Sequence, residues 1–84
     1  MMIKRRKKPE EKRLLKVIRN LKACTVNEAI WVMFEEDYNN GEVIEKGPFY
    51  YTHMNKLPSR LRQDEEIDFI GLCPDSGEKM WVIL

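Results

Sequence analysis

The stretch Thr25-Val26-Asn27-Glu28 sets where one helix has to begin. A threonine hydroxyl at the first of these positions accepts from the backbone N–H three residues on, and a glutamate there reaches back to the threonine N–H. Two donors that helical geometry leaves open are satisfied together. The residues behind this capping box keep helical spacing. Val26, Ala29, Ile30, Met33 and Phe34 share one face, and the pattern predicts a helix ending near Asp37. Trp31 falls off that stripe, which puts it at the edge of the packing or on a contact surface.

The segment ahead of the box is also helical in pattern. Leu14, Leu15, Ile18 and Leu21 recur at helical spacing and Val17 widens the stripe, with Lys12, Arg13, Lys16, Arg19 and Lys22 on the other faces. Pro9 suits the first helical position, where a missing N–H costs nothing, and Glu10 and Glu11 sit well against the positive helix end. A helix from Pro9 to about Lys22 is expected. The link Lys22-Ala23-Cys24-Thr25 is then too short for anything but a sharp turn.

Beyond the second helix, Asn39-Asn40-Gly41 and Gly47-Pro48 are strong breakers, and residues 42–45 between them read as a brief extended segment. A third helix is expected from about Thr52, with Met54, Leu57 and Leu61 as its buried stripe. Pro58 either bends this helix or starts a second one after a turn ending near Lys56; the spacing leaves both open. Residues 66–72 and 78–84 are β-rich runs separated by Cys73-Pro74-Asp75-Ser76-Gly77, which is turn chemistry, so they predict a hairpin. Ile67 and Phe69 alternate with polar neighbours, as in a half-buried strand. The second run is apolar almost throughout, so it needs cover beyond its partner.

Charge is distributed in blocks. The net charge of +1 hides ten cations against two acids in residues 1–22, and Lys46 against six acids in 23–50. Lys56, Arg60 and Arg62 stand unopposed in 51–63, whereas 64–84 set Lys79 against six acids. A partner attracted by charge is therefore drawn to particular segments. The 84 residues, 43% of them hydrophobic, make one domain with a small core. No apolar run approaches membrane-spanning length, and the basic N-terminal residues lack the apolar stretch of a secretory signal. Cys24 and Cys73 are too few for a disulfide framework and lack metal-site spacing, so they read as free thiols in a cytoplasmic protein.

Helix, sharp turn, capped helix, loop, third helix and hairpin, in that order, resemble a winged helix-turn-helix domain. The resemblance rests most on residues 57–84, where a short polar helix with leucines four apart leads into strand, turn and strand. Small archaeal and archaeal-virus winged-helix proteins are similar here. It implies an α+β fold of three helices followed by a two-stranded wing, with residues 1–8 as a flexible basic arm and 9–84 as the winged-helix domain. It further implies a third helix that enters the DNA major groove while the wing touches neighbouring backbone.

The residues themselves bear on that expectation. With Met54, Leu57 and Leu61 inward, the opposite helix face presents Thr52, Asn55, Lys56, Ser59 and Gln63, flanked by Arg60 and Arg62, with His53 at the start. Arginine suits guanine, asparagine or glutamine suits adenine, and hydroxyls and lysine suit phosphate. The alternative is a solvated helix face, which needs polar residues anyway. The arm residues Lys4, Arg5, Arg6, Lys7 and Lys8 can follow phosphates or enter a minor groove, or serve only solubility. Against the DNA reading, the hairpin tip carries Asp75 and Glu78 with a single Lys79, and Asp64, Glu65, Glu66 and Asp68 follow the helix. Those acids must face away, or the hairpin is not a DNA contact.

Catalysis finds little support. His53 is the sole histidine, without a nucleophile or acid at a suggestive spacing, and the four glycines are scattered singly. The expected function is duplex-DNA binding by a small transcriptional regulator, as a homodimer anchored through Trp31 or Trp81, the first helix or the last strand. No enzyme activity, metal, cofactor, small-molecule ligand or membrane is expected. A winged-helix protein-contact module and a non-specific nucleic-acid binder led by the arm are the competing readings.

Overall fold

The computed structural model describes residues 6–42, 46–47 and 49–84. Three helices, α1 (Pro9–Leu21), α2 (Val26–Asn39) and α3 (Phe49–Gln63), pack with three antiparallel strands, β1 (Ala23–Cys24), β2 (Ile67–Leu72) and β3 (Lys79–Ile83). The class is α+β. Lys4, Arg5 and most of the 42–45 segment lie outside the described residues.

The helices follow the apolar periodicities. α1 buries Leu14, Val17 and Ile18, α2 buries Val26, Ala29, Ile30 and Met33, and α3 buries Met54, Leu57 and Leu61. Ile67 and Trp81 complete the core from the sheet side. Leu21, expected on the α1 stripe, is exposed, because the helix ends there and the chain turns away. The capping box forms as read: the Glu28 N–H donates to Thr25 Oγ1 at 3.2 Å and the Thr25 N–H donates to Glu28 Oε1 at 3.1 Å.

Two expectations need correction. The α1–α2 link is not only a turn. Lys22 reverses the chain with φ 71, and Ala23 and Cys24 then pair with Val82 and Trp81 of β3. The hairpin is therefore part of a three-stranded sheet ordered β1-β3-β2, in which β1 pairs the second edge of β3 and Trp81 of β3 is covered by the core. In addition, α3 begins at Phe49 rather than near Thr52 and runs through Pro58 as one helix. Pro58 lacks the N–H that would bond the carbonyl four residues back, yet its ring is buried with the apolar stripe, which offsets part of that loss.

Two helices end in the same way. After α2, the Gly41 N–H donates to the Tyr38 carbonyl at 3.0 Å and the Glu42 N–H to the Asp37 carbonyl at 2.9 Å. After α3, Glu65 donates to Arg62 and Glu66 to Leu61, each at 3.0 Å. Both are Schellman closures, which place the residue beyond the cap in the left-handed region. Gly41 takes that place with φ 77, and Glu65, which carries a Cβ, takes it with φ 61.

α1 and α2 are clamped by Arg13. Its guanidinium donates to Asp37 Oδ1 at 2.7 Å and to the Met33 carbonyl at 3.0 Å, and reaches Glu36 Oε2 at 3.3 Å. These Arg13 hydrogen bonds hold the Asp37 carboxyl below its usual range, against the opposing effect of its partial burial.

Thr25→Ala should cost about 1 kcal/mol by removing the cap acceptor. Gly41→Ala should destabilise and Glu65→Gly should stabilise, each by about 1 kcal/mol, because only glycine adopts positive φ freely. Urea titration followed by circular dichroism reads all three. The depressed Asp37 carboxyl contributes stability that is present above the unfolded-state value near 4 and is lost as pH falls through the folded value. Asp37→Asn should therefore flatten the dependence of the urea midpoint on pH below about 4 relative to wild type.

Candidate functional site

The exposed side of α3 carries no acid. Thr52, His53, Asn55, Lys56, Ser59, Arg60, Arg62 and Gln63 are all exposed, and no Asp or Glu occurs in residues 49–63. At about 100° per residue, Thr52, Lys56, Ser59 and Gln63 run down the middle, directly opposite the buried Met54–Leu57–Leu61 stripe. His53 and Arg60 border them on one side, Asn55 and Arg62 on the other. The earlier start of the helix adds a turn that sequence periodicity missed. It places Phe49, 81% exposed, in line with His53, Lys56 and Arg60.

Some of these side chains are already held. The Asn55 amide donates to the Tyr51 carbonyl at 2.7 Å, which leaves its oxygen and one N–H for a ligand. Arg62 Nε lies 3.2 Å from Asp68 Oδ1 on β2, an ion pair open enough to solvent that the outer guanidinium nitrogens remain accessible. Lys7 Nζ lies 2.8 Å from Glu66 Oε1, so the arm is tied to the α3–β2 junction before it reaches α1. Arg6 and Lys8 are exposed.

These contacts resolve part of the conflict posed by the acids. Asp68 and Glu66 each pair with a cation, Asp68 while still half exposed. At the hairpin, Glu78 accepts a hydrogen bond from the Asn27 amide at the start of α2. Lys79, by contrast, lines an open groove with Ser59, Arg62, Gln63 and Trp81. A second groove, sharing Lys79 and Trp81, continues past Asn55 and Pro58 to Asn27, Glu78 and the Gly77 turn. Helix α3 and the hairpin thus flank two adjoining grooves, one with Arg62 and Lys79 facing each other across it and the other carrying the Glu78 carboxylate on its wall. Only the fold could reveal this, since Lys79 is sixteen residues from Gln63 and sits among acids in the sequence.

Other chemistry is thinly supplied. Among the described residues no group of three or more His, Cys, Asp and Glu is placed to hold a metal ion, and no helix is long and apolar enough to cross a membrane. Burial, followed by the nearby Glu28 charge, pushes the Cys24 thiol up to about 11. The Cys73 thiol is lowered by hydrogen bonding from the Ser76 side chain, then by the backbone N–H groups of Ser76 and Asp75. Comparison with protein-family models, with curated proteins and with solved structures found no match.

At neutral pH a soft alkylating agent should label Cys73 and spare Cys24 in the native protein, because the thiolate is the reacting form. Peptide mass mapping checks this, and comparable labelling of both thiols would show that Cys24 is not buried as described.

Proposed function

We propose that the chain binds duplex DNA with α3 as the reading helix and the hairpin as a flanking backbone contact, in the manner of a winged helix-turn-helix regulator. The observation that carries this reading is the α3 face itself: eight exposed polar or basic side chains of residue types suited to base edges and phosphates, uninterrupted by acid and backed by a buried apolar stripe. The element order, with three helices followed by a sheet hairpin, is compatible with that arrangement.

The division of labour follows from position. Lys56, Ser59 and Gln63, central on the face, are the candidates for base contact, with Thr52 beside them. Arg60, His53 and Arg62 on the borders, with Lys79 across the groove, suit phosphate. Phe49 offers an apolar surface of the kind that meets a thymine methyl. The arm, from Lys4 to Lys8, adds salt-sensitive attraction, each neutralised phosphate contributing a slope of about −0.9 in log K against log salt.

Fluorescence polarisation against a random duplex pool, between about 50 and about 200 mM salt, with recovery and rebinding of bound duplexes, tests the reading. Enrichment of a motif is the expected result. Lys56→Ala should then weaken the selected complex by about 1–3 kcal/mol, with a smaller and sequence-independent loss for Arg62→Ala. Asp68→Asn should tighten binding, because it frees Arg62 from its carboxylate. Steep salt dependence without enrichment would point to a non-specific binder led by the arm. No binding at low salt would leave the α3 face as a solvated surface and end the proposal.

A further inference from the structure

α2 carries two faces; α1, α3 and the sheet bury one, and α3 reaches the other only at Phe34. Val26, Ala29, Ile30 and Met33 point into the core, whereas Asn27, Trp31, Phe34 and Tyr38 form a separate row about 120° away around the helix. Trp31 is 68% exposed and Tyr38 76%, and Tyr51, 45% exposed, extends the row from α3. Phe34 is fixed between them, stacked on Tyr50 with ring centroids 5.9 Å apart and edge-on to Tyr51 at 6.5 Å. Two adjoining shallow grooves run along this row, one lined by Asn27, Trp31, Phe34 and Tyr51 and the other by Trp31, Phe34, Glu35 and Tyr38.

We infer that this row is the contact surface for a second copy of the chain, in which two α2 helices pack antiparallel about a two-fold axis. The spacing is that of a helix-pair seam: from residue 27 the steps are four, three and four, the alternation with which inward positions recur when two helices pack along their length. An isologous antiparallel pair centred between Trp31 and Phe34 sets Trp31 against the partner's Phe34, and Tyr38 against the partner's Asn27. Aromatic meets aromatic at the centre, and polar tips lie at both ends. Glu35, the nearest acid, falls to the side of the seam rather than in it.

The area is consistent with a weak dimer. Aromatic side chains bury about 150–250 Å² each, so the exposures of Trp31, Tyr38 and Tyr51 leave roughly 300–450 Å² of ring surface uncovered per copy. Two copies thus bring roughly 600–900 Å² of ring surface together, so the α2 backbone flanks must supply the rest of the ~1,200 Å² at the low end of specific interfaces.

Other surfaces fit less well. Trp81 is 6% exposed and lies on the central strand, so it anchors the core and not a partner. β2 is an edge strand with exposed Phe69, Ile70 and Leu72, but a register shift between Phe69 and Gly71 breaks its ladder, and the Asp68 carboxylate takes the Phe69 N–H. A bulged, acid-bearing edge disfavours strand-to-strand pairing.

The test is sedimentation velocity of the full chain, without DNA, over a hundredfold range of concentration. A concentration-dependent monomer–dimer equilibrium is expected. Trp31→Ala should weaken it at least tenfold, and Ile70→Ser on β2 should leave it unchanged. Emission provides a second readout. Trp31 should shift to the blue as the dimer forms while buried Trp81 does not, and Trp31→Phe should keep the dimer but lose the shift. A chain that stays monomeric throughout, or a dimer that survives Trp31→Ala, overturns the inference. Because DNA is absent, neither outcome depends on whether α3 reads it.

Discussion

The burial of Trp81 on the central strand is the contact on which the rest of the arrangement depends. Its backbone pairs with Cys24 on one side and Phe69 on the other, and its ring meets Phe69 edge-on at 6.1 Å. Through β1 the same strand holds the junction between α1 and α2, and through β2 it holds the exit of α3. Trp81 also lines both grooves beside α3. A small domain has few residues with which to tie helices to a sheet, and one large ring at the crossing removes more apolar surface from water than any smaller side chain there could.

Electrostatic pairing shapes the surface that this framework presents. The chain is nearly neutral, yet three of the acids near α3 are paired: Asp68 with Arg62, Glu66 with Lys7, and Glu78 with the Asn27 amide at the start of α2. Exposed pairs of this kind add little stability. Their effect is directional, since a carboxylate engaged with a lysine repels an approaching phosphate less than one facing solvent. The same pairing also limits the cations that α3 can offer, so the strength of the proposed DNA contact is a balance between internal and external anions.

α2 joins the two proposed surfaces. One side of it closes the core, its start is linked to the hairpin through Asn27, and its aromatic row reaches Tyr51 at the base of α3. A partner seated on that row would leave Phe49, His53 and Arg60 clear, since Tyr51 falls on the opposite side of α3 from them, and would adjoin the groove beside α3 at Asn27.

What the sequence by itself determined was local: the capping box at Thr25, the apolar stripes of three helices, the breakers and the hairpin turn. Each follows from a period or a cap that neighbouring residues create alone. The exposed polar residues of α3 were legible for the same reason, as the complement of its buried stripe. The tertiary structure decided the rest. Ala23 and Cys24 have no periodicity to announce a strand, and become one only because β3 lies beside them with open hydrogen-bonding groups. Phe49 joins α3 because packing of Tyr50 on Phe34 supports a turn that the apolar pattern does not extend to. Lys79 stands beside Arg62, and Trp31 stands clear of the core while Trp81 fills it. Such distinctions depend on which faces meet, and the pairing of faces is a property of the folded chain, not of any segment within it.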